Sequence, residues 1–205
     1  MYDLYFWPAP NGLKISVALE ELGVPYTVHP VNIGAREQFA PAFLALSPNN
    51  RIPALVDNDP TGGGEPIAVF ESGAILQYLG EKHGRFLPAD VRGRTEVAQW
   101  LFWQMSALGP MTGQAHHFAK AAPEPIPYAI NRYADEVARL WGVLDRRLAG
   151  RDYIAGDYSI ADMACFTWMR QPLPTLDLAA YPNVARWRER VGARPGVQRG
   201  VAVKP

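Results

Sequence analysis

The feature that most constrains this chain is a change of texture along it. Up to residue 83, short apolar runs alternate with helical patterns; from residue 92 onward only helical patterns remain. "YDLYF", "YTVHPVNI", "RIPALVD" and "PIAVFES" read as strands. "GLKISVALEELG", the short "PAFLAL" and the stretch opened by Ser72, with Ile75, Leu76 and Leu79 on one face, read as helices. The order β-α-β-α-β-β-α over residues 1–83 predicts a small mixed sheet with helices on its faces, and residues 92–205 predict a separate all-helical domain. The boundary falls near residues 81–91.

The second domain is patterned clearly. "INRYADEVARLWGVLDRRLAG" carries Ile130, Tyr133, Val137, Leu140, Trp141, Leu144 and Leu148 as one apolar stripe. Gly109-Pro110 should end or kink the aromatic-rich helix "TEVAQWLFWQMSAL". Ser159 and Asp162 stand at capping-box spacing before "IADMACFTWM". "YPNVARWRERVGARPG" predicts a last amphipathic helix whose run Arg186, Arg188, Arg190 and Arg194 reads as a solvated face.

Charge excludes one class of partner. Lys+Arg equals Asp+Glu, so no basic excess argues for nucleic acid. The charge is nevertheless split: residues 1–80 hold eight acidic against three basic side chains, net −5, and the remainder is net +5. Attraction within the chain or between subunits and plain solvation of two faces both remain open. A single cysteine, Cys165, excludes an internal disulfide and fits a reducing compartment. With no signal-peptide pattern and no run of ~20 apolar residues, the expected location is the cytoplasm and no membrane is expected as partner.

Three places carry possible chemistry. "YFWPAPNGLKI" is a strand, a proline-stiffened turn and a helix start, where unpaired N–H groups favour anions. Asn11 there reads either as a plain N-cap or as a neutral donor facing a ligand. "NNRIPALV" puts Pro53 at the front of a strand, which reads as an edge strand or, less commonly, as a cis peptide. In "VFESGAI", Ser72 is a good N-cap, and Glu71 beside it sets a carboxylate against a helix start. That pair suits an amino-acid zwitterion, with ammonium on Glu71 and carboxylate on the Ser72 hydroxyl and N–H. Cys165, in an apolar helix, reads as an inert buried thiol. His116 and His117 lack further ligands at metal-site spacing, so no metal is expected. Trp100, Phe102, Trp103 and Met105 read as core or subunit interface, or as partial lining of a second site.

The β-α-β-α-β-β-α order, "IP" opening the third strand, "ES" opening the third helix and the all-helical remainder resemble the cytosolic glutathione transferases. "PNGLKI", "SPNNRIPALVD", "GGGEPIAVFESGAILQYL", "QWLFWQMSALGPM", "GQAHHF", "IPYAINRY" and "YSIADMAC" are similar to the bacterial nu-class members that reduce disulfides. The likeness runs from about residue 2 to residue 192. It implies an α/β plus all-α fold: a thioredoxin-like N-terminal domain followed by an all-helical C-terminal domain. It also implies a cis Pro53 and glutathione as cosubstrate. Ile52 would pair with the cysteinyl unit, and Glu71 and Ser72 would hold the γ-glutamyl end. Asn11 would point at the sulfur. Gln38 and Arg132 would contact the glycine end or a second glutathione, the arginine from the partner of a homodimer. Ala9 departs from the pattern, standing where a well-known member has a threonine near the sulfur.

The expected activity is glutathione-dependent reduction of a small disulfide. Conjugation of glutathione to an electrophile and glutathione binding with little catalysis are the alternatives.

Overall fold

One parallel and two antiparallel pairings place the four strands of the sheet, and the register supplies them. The computed structural model describes residues 1–170, 173 and 176–205. It divides into two compact units, Met1–Leu87 with Ala193–Pro205, and Pro88–Gly192.

In the first unit, β1 (Tyr2–Phe6), β2 (Tyr26–Pro30), β3 (Ala54–Asp57) and β4 (Ile67–Phe70) form one sheet in the order β2-β1-β3-β4. β1 and β2 are parallel, joined through helix α1 (Pro10–Leu22), because parallel neighbours need a crossover. β1–β3 and β3–β4 are antiparallel, and the turn "NDPTGGGE" joins the latter pair. Tyr2, Leu4 and Phe6 alternate inward along β1. Ile15 and Leu19 of α1, and Ile75, Leu76 and Leu79 of α3 (Ser72–His83), are likewise buried. On the opposite face, Tyr5 and Ile52 pack on a cluster of Val31, Phe43 and Ala54, where Phe43 comes from the one-turn helix α2 (Pro41–Leu44).

The second unit is helical: α4 (Val91–Trp103), α5 (Gly109–His116), α6 (Pro127–Arg147), α7 (Ile160–Met169) and α8 (Pro182–Gly192). Gly109-Pro110 does not stop the chain. A wider helical turn at Gln104–Leu108 leads from α4 into α5, and proline at a helix's second position loses no intrahelical bond. Val137, Leu140, Trp141 and Leu144 of the α6 stripe are buried. The capping box holds: the Ser159 hydroxyl accepts from Ala161 N at 3.3 Å and Asp162 accepts from Ser159 N at 3.0 Å. Buried Asp162 also accepts from Trp187 Nε1 at 2.8 Å and Ile154 N at 3.0 Å, and burial still pushes its carboxyl up to about 6.

Two expectations change. The chain ends in a further helix, α9 (Pro195–Ala202), which the pattern did not separate from α8. It belongs to the first unit, whereas the sequence placed all of 92–205 in the helical domain. The reason is close packing on α1. A Cβ on Gly200 would lie 2.4 Å from Val17 Cα, and Ser16 Oγ donates to Gly200 O at 2.7 Å. Arg194 pairs with Glu21 at 2.7 Å and Arg199 with Glu20 at 2.7 Å, so part of the charge split is spent within the chain. The basic run is therefore not simply a solvated face. Arg186 donates to Leu148 O, Arg188 to Arg170 O while stacking over Trp141, and Arg190 pairs with Asp152.

Candidate functional site

Register alone brings the first-unit candidates together. Tyr5 pairs with Ala54, and Ala54 with Phe70, so the end of β1, the start of β3 and the end of β4 share one edge of the sheet. β2 runs parallel to β1 and ends there too. The segments leaving or entering that edge carry Asn11, Gln38, Ile52-Pro53 and Glu71-Ser72.

Each segment is shaped by identifiable local chemistry. The turn after β1 passes so close to α1 that a Cβ on Gly12 would lie 2.2 Å from Trp7 O; only glycine fits. Ala9 is the N-cap of α1 and gives no side-chain cap bond. Asn11 is therefore not the N-cap but the second helical residue, in the first turn where N–H groups have no intrahelical partner.

The loop before β3 is tied by Ser47, whose hydroxyl donates to Arg51 O at 2.8 Å and accepts from Arg51 N at 3.4 Å. It delivers an Ile52–Pro53 peptide that is cis. The ladder of β3 begins only at Ala54, so Ile52 stands just before the paired strand. In the loop after β2, Asn32 accepts from Gly34 N and Ala35 N, and Gln38 follows in the turn Glu37–Phe39. Its Oε1 is buried with no hydrogen-bond partner in the protein.

At α3 the expectation shifts by one residue. Glu71, not Ser72, is the N-cap: its carbonyl accepts from Ile75 N at 2.9 Å, and Ser72 is the first helical residue. Glu71 has φ 68° and ψ 115°, a region that costs a non-glycine residue roughly 1–3 kcal/mol. Its side chain makes no cap bond and is exposed. Ser72 is 5 % exposed and its Oγ lies 3.4 Å from Nζ of Lys14, a lysine of α1 with no exposure at all. Reading the sequence missed Lys14. The available signal was a lone charge inside "GLKISVAL", every residue of which is buried.

Arg132 belongs to the second unit. It is exposed on α6 and lines a cavity of about 760 Å³ with Met111, Tyr128, Tyr133 and Arg139, beside a bidentate Arg139–Glu136 pair at 2.8 Å. A second cavity in that unit, about 710 Å³, is lined by Trp100, Trp103, Glu96 and Arg147. Neither tryptophan is fully buried, Phe102 is 63 % exposed, and Arg147 of α6 lies over the Trp100 ring. Cys165 is buried. Among the described residues no three His, Cys, Asp or Glu gather as a metal site, and no helix is long and apolar enough to cross a membrane.

A thioredoxin-like sheet with a cis-proline at one end, joined in sequence to a helical unit, defines a class of two-domain proteins. Comparison with known proteins makes that specific. Residues 2–81 match the family model for the glutathione S-transferase N-terminal domain, and residues 111–195 that for its C-terminal domain. The chain belongs to the glutathione S-transferase family. It is 53 % identical over 197 residues to the disulfide-bond oxidoreductase YfcG of Escherichia coli, covering 95 % of this chain and 92 % of that one. A glutathione transferase family member from Pseudomonas fluorescens, solved with two glutathione bound, superposes with a TM-score of 0.93 at 42 % identity, covering 99 % and 93 % of the two chains. A Pseudomonas putida glutathione transferase, with one glutathione disulfide bound per subunit, also gives 0.93 at 41 % identity, covering 100 % and 92 %.

Proposed function

We propose that this protein is a glutathione-dependent disulfide-bond reductase of the nu-class type, working as a cytoplasmic homodimer. The observation that carries the reading is the edge of the first sheet: it gathers anion-binding helix starts, a cis-proline and a carboxylate–hydroxyl pair, yet the chain's lone cysteine is Cys165, in α7 of the other unit. The reactive sulfur therefore arrives with the ligand. Glutathione offers an ammonium for Glu71, a carboxylate for the Ser72 hydroxyl, and backbone amides for Ile52. Asn11 presents a neutral donor to the sulfur at the start of α1. The amide of Gln38, whose oxygen lacks a partner, suits the glycine end, and Arg132, supplied by a partner subunit, suits a second glutathione. The names of YfcG and of the glutathione-bound relatives support the same reading.

The chemistry balances without a protein thiol. Bound glutathione thiolate attacks one sulfur of the substrate disulfide, forming a mixed disulfide and expelling a thiolate that takes a proton from water. A second glutathione thiolate attacks the glutathione sulfur of that intermediate. It releases the other half of the substrate, likewise protonated, and leaves glutathione disulfide. Two glutathiones are oxidised and one disulfide is reduced.

Thiolate stabilisation alone contributes little. At a pKa of ~8.5 about 3 % of a thiol is ionised at pH 7. Lowering it by about one unit takes ~1.4 kcal/mol and raises the thiolate roughly eightfold, but the accompanying loss of nucleophilicity returns about threefold of that. The rest of the rate comes from holding thiolate and target in line.

The test is a small disulfide assayed with glutathione, NADPH and glutathione reductase, against an aryl halide assayed for thioether formation. Disulfide turnover with negligible conjugation is expected. The reverse result assigns conjugation instead, and thermal stabilisation by glutathione with neither turnover assigns a binding protein. Ala9, which removes a hydroxyl from the turn beside Asn11, is the observation that keeps these alternatives in view.

A further inference from the structure

We propose that Asp135 is a specificity-determining residue of the second glutathione subsite: its carboxylate receives the α-ammonium of the γ-glutamyl end whose α-carboxylate goes to Arg132. This rests on the glutathione reading above, which hands Arg132 to a second glutathione, and adds the group that selects a zwitterion there. α6 places the two residues together. Positions 128, 132, 135 and 139 recur every three or four residues, so Tyr128, Arg132, Asp135 and Arg139 share one stripe of the helix, away from the buried Val137, Leu140 and Leu144. All four line the cavity of about 760 Å³, a size suited to a small ligand. Wherever Arg132 meets its ligand, Asp135 is within one helical turn of it.

The charges along that cavity are not equivalent. Arg139 and Glu136 close on each other through two contacts of 2.8 Å. Arg139 first, and Arg132 more weakly, hold the Glu136 carboxyl below its usual range. Arg132 and Asp135 are exposed and, among the described residues, form no hydrogen bond or ion pair with each other or with another side chain. A bridge between two such side chains gains little, because water already solvates both and holding them together costs rotamer freedom. A ligand with both charges on one carbon changes that balance. Its carboxylate meets the guanidinium through two parallel bonds while its ammonium meets the Asp135 carboxylate. A ligand with the carboxylate alone meets Asp135 as a like charge, so the residue that favours a zwitterion also turns away a simple anion.

The experiment is titration calorimetry of the whole protein with two ligands: glutathione disulfide, and the mixed disulfide of glutathione and 2-mercaptoethanol, which lacks the second γ-glutamyl end. The unsubstituted chain should bind glutathione disulfide the more tightly. In Asp135→Asn the Kd for glutathione disulfide should rise about fivefold, or ~1 kcal/mol, while the Kd for the mixed disulfide stays within about twofold. Asp135→Glu, which keeps the charge, should restore most of the loss. Equal losses for both ligands in Asp135→Asn would mean that the carboxylate merely supports the fold. No loss for either, or equal affinity of the unsubstituted chain for the two ligands, would mean that the second end is not read here. Each of these overturns the proposal and leaves the glutathione reading standing. Failure of the unsubstituted chain to take up either ligand would overturn the glutathione reading itself, and this role with it.

Discussion

The two ends of the four-stranded sheet are built from the same kinds of group and use them in opposite ways. At the far end from the candidate site, Asp57 is fully buried where β3 stops. It accepts from Lys82 Nζ at 2.5 Å, Tyr78 OH at 2.6 Å and Asp59 N at 3.0 Å. Lys82 also reaches Asp59 O and lies over the Tyr2 ring, and Tyr2 OH meets His83 Nε2 at 2.8 Å. Burial works against the Asp57 charge, but these partners outweigh it and hold the carboxyl below its usual range. At the site end the carboxylate of Glu71 is exposed and its backbone is strained. One end is closed on itself and gives stability; the other carries the exposed Glu71 carboxylate and is where glutathione is proposed to bind.

That contrast is easiest to break at the closed end. Asp57→Asn leaves Lys82 beside a neutral group in a largely buried pocket, and should cost about 3 kcal/mol in denaturant unfolding. The Kd for glutathione should stay as it was. A loss of affinity as large as the loss of stability would mean that the two ends are not independent.

The open end should behave in reverse. Glu71→Ala should raise the Kd for glutathione about thirtyfold, or ~2 kcal/mol, the size of a hydrogen bond to a charged group. Its melting temperature should change little, because the exposed side chain caps nothing. Glu71→Gly should bind as poorly and yet unfold later, by about 1 kcal/mol, since glycine tolerates φ 68°. A strongly destabilised Glu71→Ala would show that the carboxylate supports the fold.

The closed end was less legible in the sequence than the open one, for a physical reason. "IP" and "ES" are adjacent residues at element boundaries, so their local chemistry shows in a string. Asp57 and Lys82 lie on separate elements, and only the register of β3 with β1 and the length of α3 bring them together. The strands and helices of residues 1–83 were readable because apolar period and turn residues agree there. The helix α9 was not: "ARPGVQRGVA" holds a short, glycine-rich apolar face whose partner, α1, lies some 180 residues earlier. Lys14 escaped for the same reason, since its contact with Ser72 is to another helix. Arg132 is exposed on α6 of the second unit.

A smaller effect tests the sulfur's surroundings. If Asn11 only stabilises thiolate, the net gain worked out above is about threefold, so Asn11→Ala should lower kcat/KM for a small disulfide by roughly that factor. It should also shift the rising limb of the pH profile upward, toward the pKa of free glutathione. A loss of a hundredfold without that shift would place Asn11 among the groups that orient the substrate, and would make the site end depend on geometry at the turn as well as at Glu71.

The smallest effect sharpens the comparison by its sign. Burial first, and then the charge of neighbouring Lys82, hold the His83 imidazole below its usual 6.5. Around and below pH 6.5 the unfolded chain therefore binds a proton that the folded chain does not. Stability rises with pH in that window and is lost as the pH falls through it. Asp57, with its carboxyl held low, contributes stability that persists above the unfolded value of 3.8 and goes only at lower pH. Asp162 in the helical unit acts with the opposite sign between about 6 and 3.8, because burial raises its carboxyl. The parent's unfolding curve sums all three, so the informative quantity is the difference between the parent and His83→Gln, which keeps an acceptor for Tyr2 but no longer titrates. That difference should favour the parent less at pH 5.5 than at pH 7.5. A difference independent of pH would mean that the closed end takes up the proton at no cost, and that its polar network is looser than the 2.8 Å contact between Tyr2 and His83 implies.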